Sequence, residues 1–540
     1  MAQVLSRDTL PGLKKLLAEA ARTDEQNAEL VLLRYVELRP GIRAQLLSKR
    51  HQLVSGRRGT GKSTLLHVMR TDVRREGTRV AAVDMERFKG RAYPDVLIEI
   101  LIALLAELKP PFVPRRSIAS LSLRRRHRRI VARLRALLAD PLAVERRFRR
   151  QSAKNGSIGG TARAGLAHRF ADVTLAASTA RSASQEDEES ASFTLLKIEI
   201  LQRLAGEIAS LLSDLVKASG SDMSLVFIDD FNYTQLEDQP FVLDYLHQVC
   251  KSTGTWLKIG GVGSRLRPYQ DGNPPTGMEP DQDIERLSMD VSLEEFLMAK
   301  DFLETVMDKL LASIDMDIKT LLTDDARNRI VLACGGAVPR DYMTLTSAAA
   351  DFALERLKRG SKSLDEIRIY AEDIQEAARR RLSQKVDDLG RDAGGDAASL
   401  RERWEDVLEF SQQHIKSQFI LVEQGNLTKE AWGQQIVQLE SLRLLHKIRE
   451  TTPNTPAWRG KRVVVYMLDL AAQAEKRIQR EIPDFWKGQH ELDKLRRAQW
   501  VYTPGWRATP SPAAPDGDDE LVPAPAMEYD LLEELRTMEE

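Results

Sequence analysis

Gly56-Arg57-Arg58-Gly59-Thr60-Gly61-Lys62-Ser63 follows the apolar run His51-Gln52-Leu53-Val54 and precedes a helical pattern over residues 63–70. The stretch fits G-x-x-x-x-G-K-[ST] in full, in the strand, loop and helix setting that gives the pattern its meaning. Glycines let successive backbone N–H groups converge on one phosphate, and the helix starting near Lys62 adds the positive end of its dipole. The side chains then divide the work. Lys62 is placed to neutralise β/γ-phosphate charge, Ser63 to ligate Mg²⁺, and Thr64 to support the nucleotide from the first helical turn. Residues 56–64 are therefore expected to bind ATP with Mg²⁺.

Outward from this loop the pattern alternates. Residues 78–85 read as a buried strand and 93–108 as a helix. The short apolar runs Leu225-Val226-Phe227-Ile228 and Trp256-Leu257-Lys258-Ile259 each follow an amphipathic helical pattern, which predicts a parallel sheet covered on both faces. A magnesium site at such a sheet needs an oxygen ligand delivered at the C-terminal edge, and Asp229-Asp230 supplies it directly after its strand. Asp229 is the magnesium-side candidate, and Asp230 the candidate to position or deprotonate water. Over residues 292–382 strand signals vanish, and Leu293, Phe296, Leu297, Phe302 and Leu303 form a helical stripe. The polar, glycine-rich residues 385–396 read as a hinge. Beyond it, helices at 401–413 and 428–441 precede strand-like runs at 443–448 and 462–467, joined by a loop at 450–461. Helix, helix, hairpin is the winged-helix order. The expected organisation is an N-terminal helical segment (1–45), an α/β core (46–291), a helical lid (292–384), a hinge (385–400), a winged helix (401–502) and a tail (503–540).

The 540 residues carry 42% apolar and 30% charged side chains, which excludes wholly disordered, collagen-like and disulfide-stapled classes. The two cysteines, Cys250 and Cys334, stand singly in apolar contexts and predict buried thiols without metal. No signal-peptide pattern opens the chain, and no apolar run is long and uncharged enough for a membrane span, so a cytoplasmic protein is expected. Lys plus Arg and Asp plus Glu both number 80, yet they are segregated. Residues 110–154 hold fourteen Lys or Arg against Asp140 and Glu145, whereas residues 503–540 hold ten Asp or Glu against Arg507 and Arg536. The basic stretch Arg124-Arg125-Arg126-His127-Arg128-Arg129 precedes Ile130, Leu134, Leu137 and Leu138 on one helical face. Three readings stay open for it: contact with nucleic-acid phosphates, docking on an acidic protein, or a solvated helix balanced by acids within the fold.

The phosphate loop, the strand Leu225-Val226-Phe227-Ile228-Asp229-Asp230, the segment at 257–269 and Gly335-Gly336-Ala337-Val338-Pro339-Arg340 together make the chain resemble the AAA+ ATPases of the origin-recognition and initiator type, in particular their bacterial relatives. The resemblance spans most of residues 30–350 and marks 110–192 as an insertion. It implies that Arg340 is a second-sensor arginine reaching from the lid to the γ-phosphate, and that Arg265 or Arg267 serves a neighbouring subunit's site, which implies a nucleotide-dependent homo-oligomer. The first sensor is expected at the end of the strand 256–259, where Gly260-Gly261 stands and Ser264 is the nearest polar substitute. The family's Asp-Glu pair is here Asp229-Asp230, one methylene shorter at the second position, which implies slow hydrolysis.

Two functions are compatible with this sequence. In one, an ATP-hydrolysing AAA+ protein uses nucleotide state to control DNA binding through its winged helix and arginine-rich insertion. In the other, a signalling ATPase switch assembles on ATP, and its winged helix and acidic tail hold a protein partner. The winged helix offers Lys429, Gln434, Gln435 and Gln438 on its second helix, against Arg443, Lys447, Arg449, Arg459, Lys461 and Arg462 on and around the wing, which favours phosphate contact over base reading.

Overall fold

The computed structural model describes residues 5–21, 31–32, 35–110, 118–139, 185–359, 367–392, 397–474 and 482–508. Residues 509–540 of the tail and residues 140–184 lie outside them. Of the N-terminal segment, residues 1–4, 22–30 and 33–34 lie outside the described residues, and 31–32 are helical.

Five strands form a parallel sheet: β1 (His51–Ser55), β2 (Arg79–Asp84), β3 (Ser224–Asp229), β4 (Thr255–Gly261) and β5 (Ile284–Ser288), in the order β2-β3-β4-β1-β5. Side chains alternate between the faces of a strand, and both faces here are apolar. Leu225 and Phe227 of β3 join one core with Leu65, Leu66 and Met69, whereas Val226 and Ile228 join the other with Leu97, Leu101 and Leu204. The doubly wound α/β class is thereby observed. The first face is covered by α2 (Lys62–Arg75), after the short helix α1 (Leu10–Ala20) that packs on the helical body described below. The second face is covered by α3 (Asp95–Glu107), α5 (Gln185–Ala218) and α6 (Gln239–Cys250), with α4 (Ile118–Ala139) laid against α3 and α5 as an outer layer. Strand β5 escaped the sequence reading because Glu285 and Arg286 interrupt its apolar pattern. It is a sheet edge, bonded to β1 alone, where charge is tolerated.

The described residues between 293 and 392 form a helical body built from α7 (Phe296–Leu311), α8 (Asp324–Cys334), α9 (Pro339–Arg359) and α10 (Ala371–Asp392). Residues 385–392, read as part of a hinge, are the last turns of α10, and 393–396 lie outside the described residues. Gly390 lies within the helix, which continues to Asp392.

After α11 (Ala397–Glu409) comes a strand that the sequence reading missed, β6 (Phe419–Glu423). It pairs with the hairpin of β7 (Leu445–Thr451) and β8 (Val463–Leu468) in an antiparallel sheet of order β6-β8-β7. The single helix read at 428–441 is two, α12 (Gln424–Lys429) and α13 (Ala431–Ser441), broken at the extended residue Glu430. One face of this sheet, with Ile420, Val422, Val464 and Tyr466, packs on α11 to α13. The other face, with Phe419, Leu421, Val463 and Val465, joins the core of the helical body, sealed by Phe485, Leu495 and Trp500. Both cysteines are buried free thiols. Among the described residues no helix is long and apolar enough to cross a membrane.

The turn between α12 and α13 is set by Gly433, where a Cβ would overlap the Asn426 carbonyl oxygen. Gly433→Ala is expected to destabilise by about 1–3 kcal/mol through this overlap. Gly425→Ala, at a helical position with open space around it, should be neutral or slightly stabilising. Thermal unfolding of the two variants checks the contrast, and equal midpoints would contradict it.

Candidate functional site

The phosphate loop leaves β1 at Ser55 and turns into α2 at Lys62, at the C-terminal edge of the sheet. Gly59 and Gly61 have φ of 89° and 95°, a region that side-chained residues avoid, so the turn needs glycine at both positions. Thr60 Oγ1 donates to the Arg57 carbonyl oxygen at 2.9 Å, pinning the loop across its base. Lys62 is only 5% exposed, and its Nζ donates to the carbonyl oxygens of Gly56 (2.9 Å) and Arg57 (2.8 Å). Burial lowers its pKa, opposed by Asp290, Asp229 and Asp230. An ammonium held on weak neutral acceptors and ringed by carboxylates is a cation poised for an anion.

The carboxylates arrive as the strand pattern requires. Asp229 ends β3, and its Oδ1 accepts from the Asp230 backbone N at 2.9 Å while Ser63 of α2 also hydrogen-bonds it. Burial, then the charge of Asp230, pushes the Asp229 carboxyl up to about 6. Asp230 adopts φ 53°, a left-handed conformation that Asp tolerates, and burial also raises its pKa. Asp84 and Glu86 from the end of β2, together with Arg58, share its electrostatic surroundings. Gly260 of β4 makes room for the pair. A Cβ there would stand 2.9 Å from Asp229 Oδ1 and 2.7 Å from Leu66 Cδ1. The expected place of a first sensor is thus occupied by the Asp229 carboxylate itself. Ser264 is exposed in the next turn, and the backbone N of Val262 is held by Asn232 Oδ1 at 3.0 Å.

Of the four variable loop residues, Arg57 turns away from the phosphate side. Its Nε and backbone N donate to Asp290 Oδ1 (3.2 and 2.8 Å), and its guanidinium donates to the carbonyl oxygens of Gly335 (3.0 Å) and Val291 (3.3 Å). Arg58 is exposed and Thr64 half-buried. Arg340, at the start of α9, lies over the loop, its Cβ 3.0 Å from where a Gly59 Cβ would stand, and its Nε donates to the Ala21 carbonyl oxygen at 3.2 Å. Arg265 and Arg267 lie in the segment after β4, and the buried side chain of Gln239 fixes that segment. Gln239 donates to the Arg265 carbonyl oxygen at 2.9 Å and accepts from the Arg267 backbone N at 2.7 Å. The preceding Gly263 abuts Ser55 and Gly56.

The site reaches the C-terminal sheet through residues 335–341. Gly335, which receives Arg57, packs so closely on the His446 ring of β7 that a Cβ would overlap it. His446 Nε2 lies 3.0 Å from Asp469 Oδ2 in the same buried patch. The fully buried Asp341, beside Arg340, accepts from Arg381 of α10 (3.0 Å) and from Arg443, which precedes β7. Glu440 at the end of α13 lies within the field of Arg57 and Asp290, burial raising its pKa. Sequence reasoning missed Gln239, Asp290, Asp341 and His446, because each acts through backbone or long-range contacts that no local pattern announces.

No family model matches the sequence, and no curated protein does. Two solved structures are similar over most of the chain. The Aeropyrum pernix ORC1 protein in complex with DNA is 14% identical, covering 87% of this chain and 92% of its own, with a TM-score of 0.32. The ADP form of the Aeropyrum pernix ORC2 protein is 11% identical, covering 80% of this chain and 90% of its own, with a TM-score of 0.27. At such scores the likeness assigns no role to any residue.

The Asp229 carboxyl sets a pH dependence with a defined sign. Its folded pKa, about 6, lies above the ordinary value of 3.8, so between these values the folded state binds the extra proton. Stability should therefore fall as pH rises through that window. Asp229→Asn should raise stability at pH 7, by on the order of 1–3 kcal/mol, and should flatten the stability profile between pH 4 and 6. Calorimetric unfolding across pH 4–8 reads both, and a less stable variant at pH 7 would refute the assignment.

Proposed function

We propose that the chain is an AAA+ ATPase of the initiator type that binds ATP and Mg²⁺ at the phosphate loop and uses nucleotide state to control DNA binding. The observation that carries this reading is the double contact of residues 335–341. Through Gly335 and Arg340 they touch the phosphate loop, and through Gly335 and Asp341 they touch the C-terminal sheet. A change at the loop is therefore one contact away from both bodies.

In this reading Lys62 leaves the carbonyl oxygens of Gly56 and Arg57 for the β/γ-phosphates, while the loop N–H groups and the N-terminus of α2 hold the phosphate chain. Ser63 and Asp229 fit a magnesium ion, because a hydroxyl and a carboxylate already meet at hydrogen-bond range beside the lysine. Bound there, Mg²⁺ would offset phosphate charge and leave most of its ligands to water and phosphate oxygens. Asp230 orients the attacking water and accepts its proton, and its short side chain makes turnover slow. Arg340 approaches the γ-phosphate from the helical lid. Arg265 and Arg267, held rigid by Gln239, face a neighbouring subunit in a homo-oligomer.

The order α11, β6, α12, α13, β7, β8 with its antiparallel sheet fits a winged helix, α13 being the recognition-type helix and the loop before β8 the wing. On α13, Gln434 is committed to the carbonyl oxygens of Leu427 and Thr428 and Gln435 to Arg403, whereas Arg459 and Lys461 on the wing are exposed. Backbone contact through the wing is favoured over base reading. The same engaged α13 favours the second reading, a switch whose winged helix and acidic tail hold a protein.

Duplex-DNA binding measured with ADP, with a non-hydrolysable ATP analogue and without nucleotide separates the two. Tighter, salt-sensitive binding with the analogue is expected, and a rise in mass with the analogue but no DNA binding would favour the protein switch. Lys62→Ala should abolish productive nucleotide binding, and Asp230→Asn should retain ATP while losing at least tenfold in turnover. Wild-type hydrolysis in either variant would remove that residue from its role. Arg340→Ala should bind ATP yet lose the nucleotide response of DNA binding, and an unchanged response would count against it.

A further inference from the structure

Helix α4 carries its charge unevenly. At 100° per residue, Ile130, Leu134 and Leu137 point inward and are fully buried against α3 and α5, with His127 Nε2 2.8 Å from the Leu105 carbonyl oxygen. On the flanks, Arg126 pairs with Asp214 and Arg133 with Glu207 of α5, the second at 3.0 Å. The outward face holds Arg125, Arg128, Arg129 and Arg135, all exposed. Among the described residues none of these four makes an ion pair or side-chain hydrogen bond. They share about 120° of arc and a length of about 15 Å.

This arrangement costs the helix stability. Arg125 faces Arg128 and Arg129 at i+3 and i+4, and like-charge pairs at those spacings destabilise a helix by a few tenths of a kcal/mol each. Where α4 meets α5, acids answer Arg126 and Arg133; on the outer face, among the described residues, no acid pairs with the four exposed arginines. The stripe is thus left to an anion that the described residues do not supply. Its chemistry follows from the residue type and from what accompanies it. All four cations are arginines, whose planar fork grips phosphate oxygens in pairs. The stripe's exposed large apolar side chain is Leu121, at its N-terminal end and 37% exposed, so the face lacks the apolar centre expected of a protein interface. Duplex DNA presents one charge per about 1.7 Å of axis, enough phosphates along about 15 Å to engage every arginine.

We propose that this outer face of α4 is a docking surface for the phosphate backbone of nucleic acid, separate from the C-terminal sheet and indifferent to base sequence. The proposal rests on the DNA-binding reading above and adds a second contact to it, outside the winged helix. It leaves Arg126 and Arg133 as structural cations and makes the outward four the functional ones.

The test replaces the outward four together, Arg125→Gln, Arg128→Gln, Arg129→Gln and Arg135→Gln, in the full chain, keeping good helix formers on a solvent face. ATP binding should match the wild type and thermal stability should be equal or slightly higher, since none of the four touches the core or the phosphate loop and the like-charge pairs are relieved. Binding of a duplex of arbitrary sequence is followed by fluorescence anisotropy with the ATP analogue present, between 50 and 200 mM salt. Without its four arginine–phosphate pairs the variant should show a slope of log K against log salt shallower by about 3 to 4, so the wild type loses about a hundredfold more affinity across that range than the variant does. An unchanged slope in the variant, with DNA still bound, overturns the docking surface and leaves the winged helix as the contact. Wild-type protein that binds no DNA under any nucleotide overturns the underlying reading, and this inference with it. An unchanged DNA slope with loss of binding to polyglutamate assigns the stripe to an acidic protein surface instead, and likewise overturns the proposal.

Discussion

The structure turns on the guanidinium of Arg57. It sits in the variable part of a phosphate-binding loop, where any side chain is compatible with the motif, yet it is committed to Asp290 after β5 and to the carbonyl oxygens of Gly335 and Val291. A largely buried charge is tolerable only with its hydrogen-bonding capacity met, and here a carboxylate and two carbonyl oxygens meet it. The loop, the edge of the parallel sheet and the helical body are thereby joined at one side chain. Positions of Lys62 and Arg340 relative to one another follow from that junction, because the first belongs to the loop and the second to the body which Arg57 holds.

Much of this was legible in the sequence because the parallel sheet writes itself in apolar runs. Strands β1 to β4 and the carboxylates Asp229 and Asp230 follow from period and position alone. The readings that failed did so for identifiable reasons. Strand β5 carries charge because an edge permits it, and β6 is a short apolar run between helices that periodicity cannot separate from a helical turn. The hinge at 385–396 is in part helix, since an isolated glycine weakens a helix without ending it. Arg57 was read with the phosphate loop, and its true partners, 233 and 278 residues away in the chain, are invisible to any local pattern. The same holds for Gln239, whose buried amide organises the segment bearing Arg265 and Arg267.

At the expected place of the first sensor, packing replaces chemistry. Gly260 does not fail to supply a polar group; it vacates the volume into which the Asp229 carboxylate fits. The consequence is an Asp whose charge is disfavoured by burial and by Asp230, a strain that a bound cation would relieve. Stability and ligand affinity are set against each other at this residue.

The C-terminal sheet is apolar on both faces, one closed by its own helices and the other fused to the core of the helical body. What opening there is between sheet and body lies at one margin, a cavity of about 440 Å³ lined by Leu293 to Met298 of the helical body and Ile448 to Glu450 of β7. The sheet shares one core with the helical body, and that core also takes in Leu65, Leu66 and Met69 of α2 behind the phosphate loop, so a displacement at the loop is passed on through packed side chains rather than across a gap.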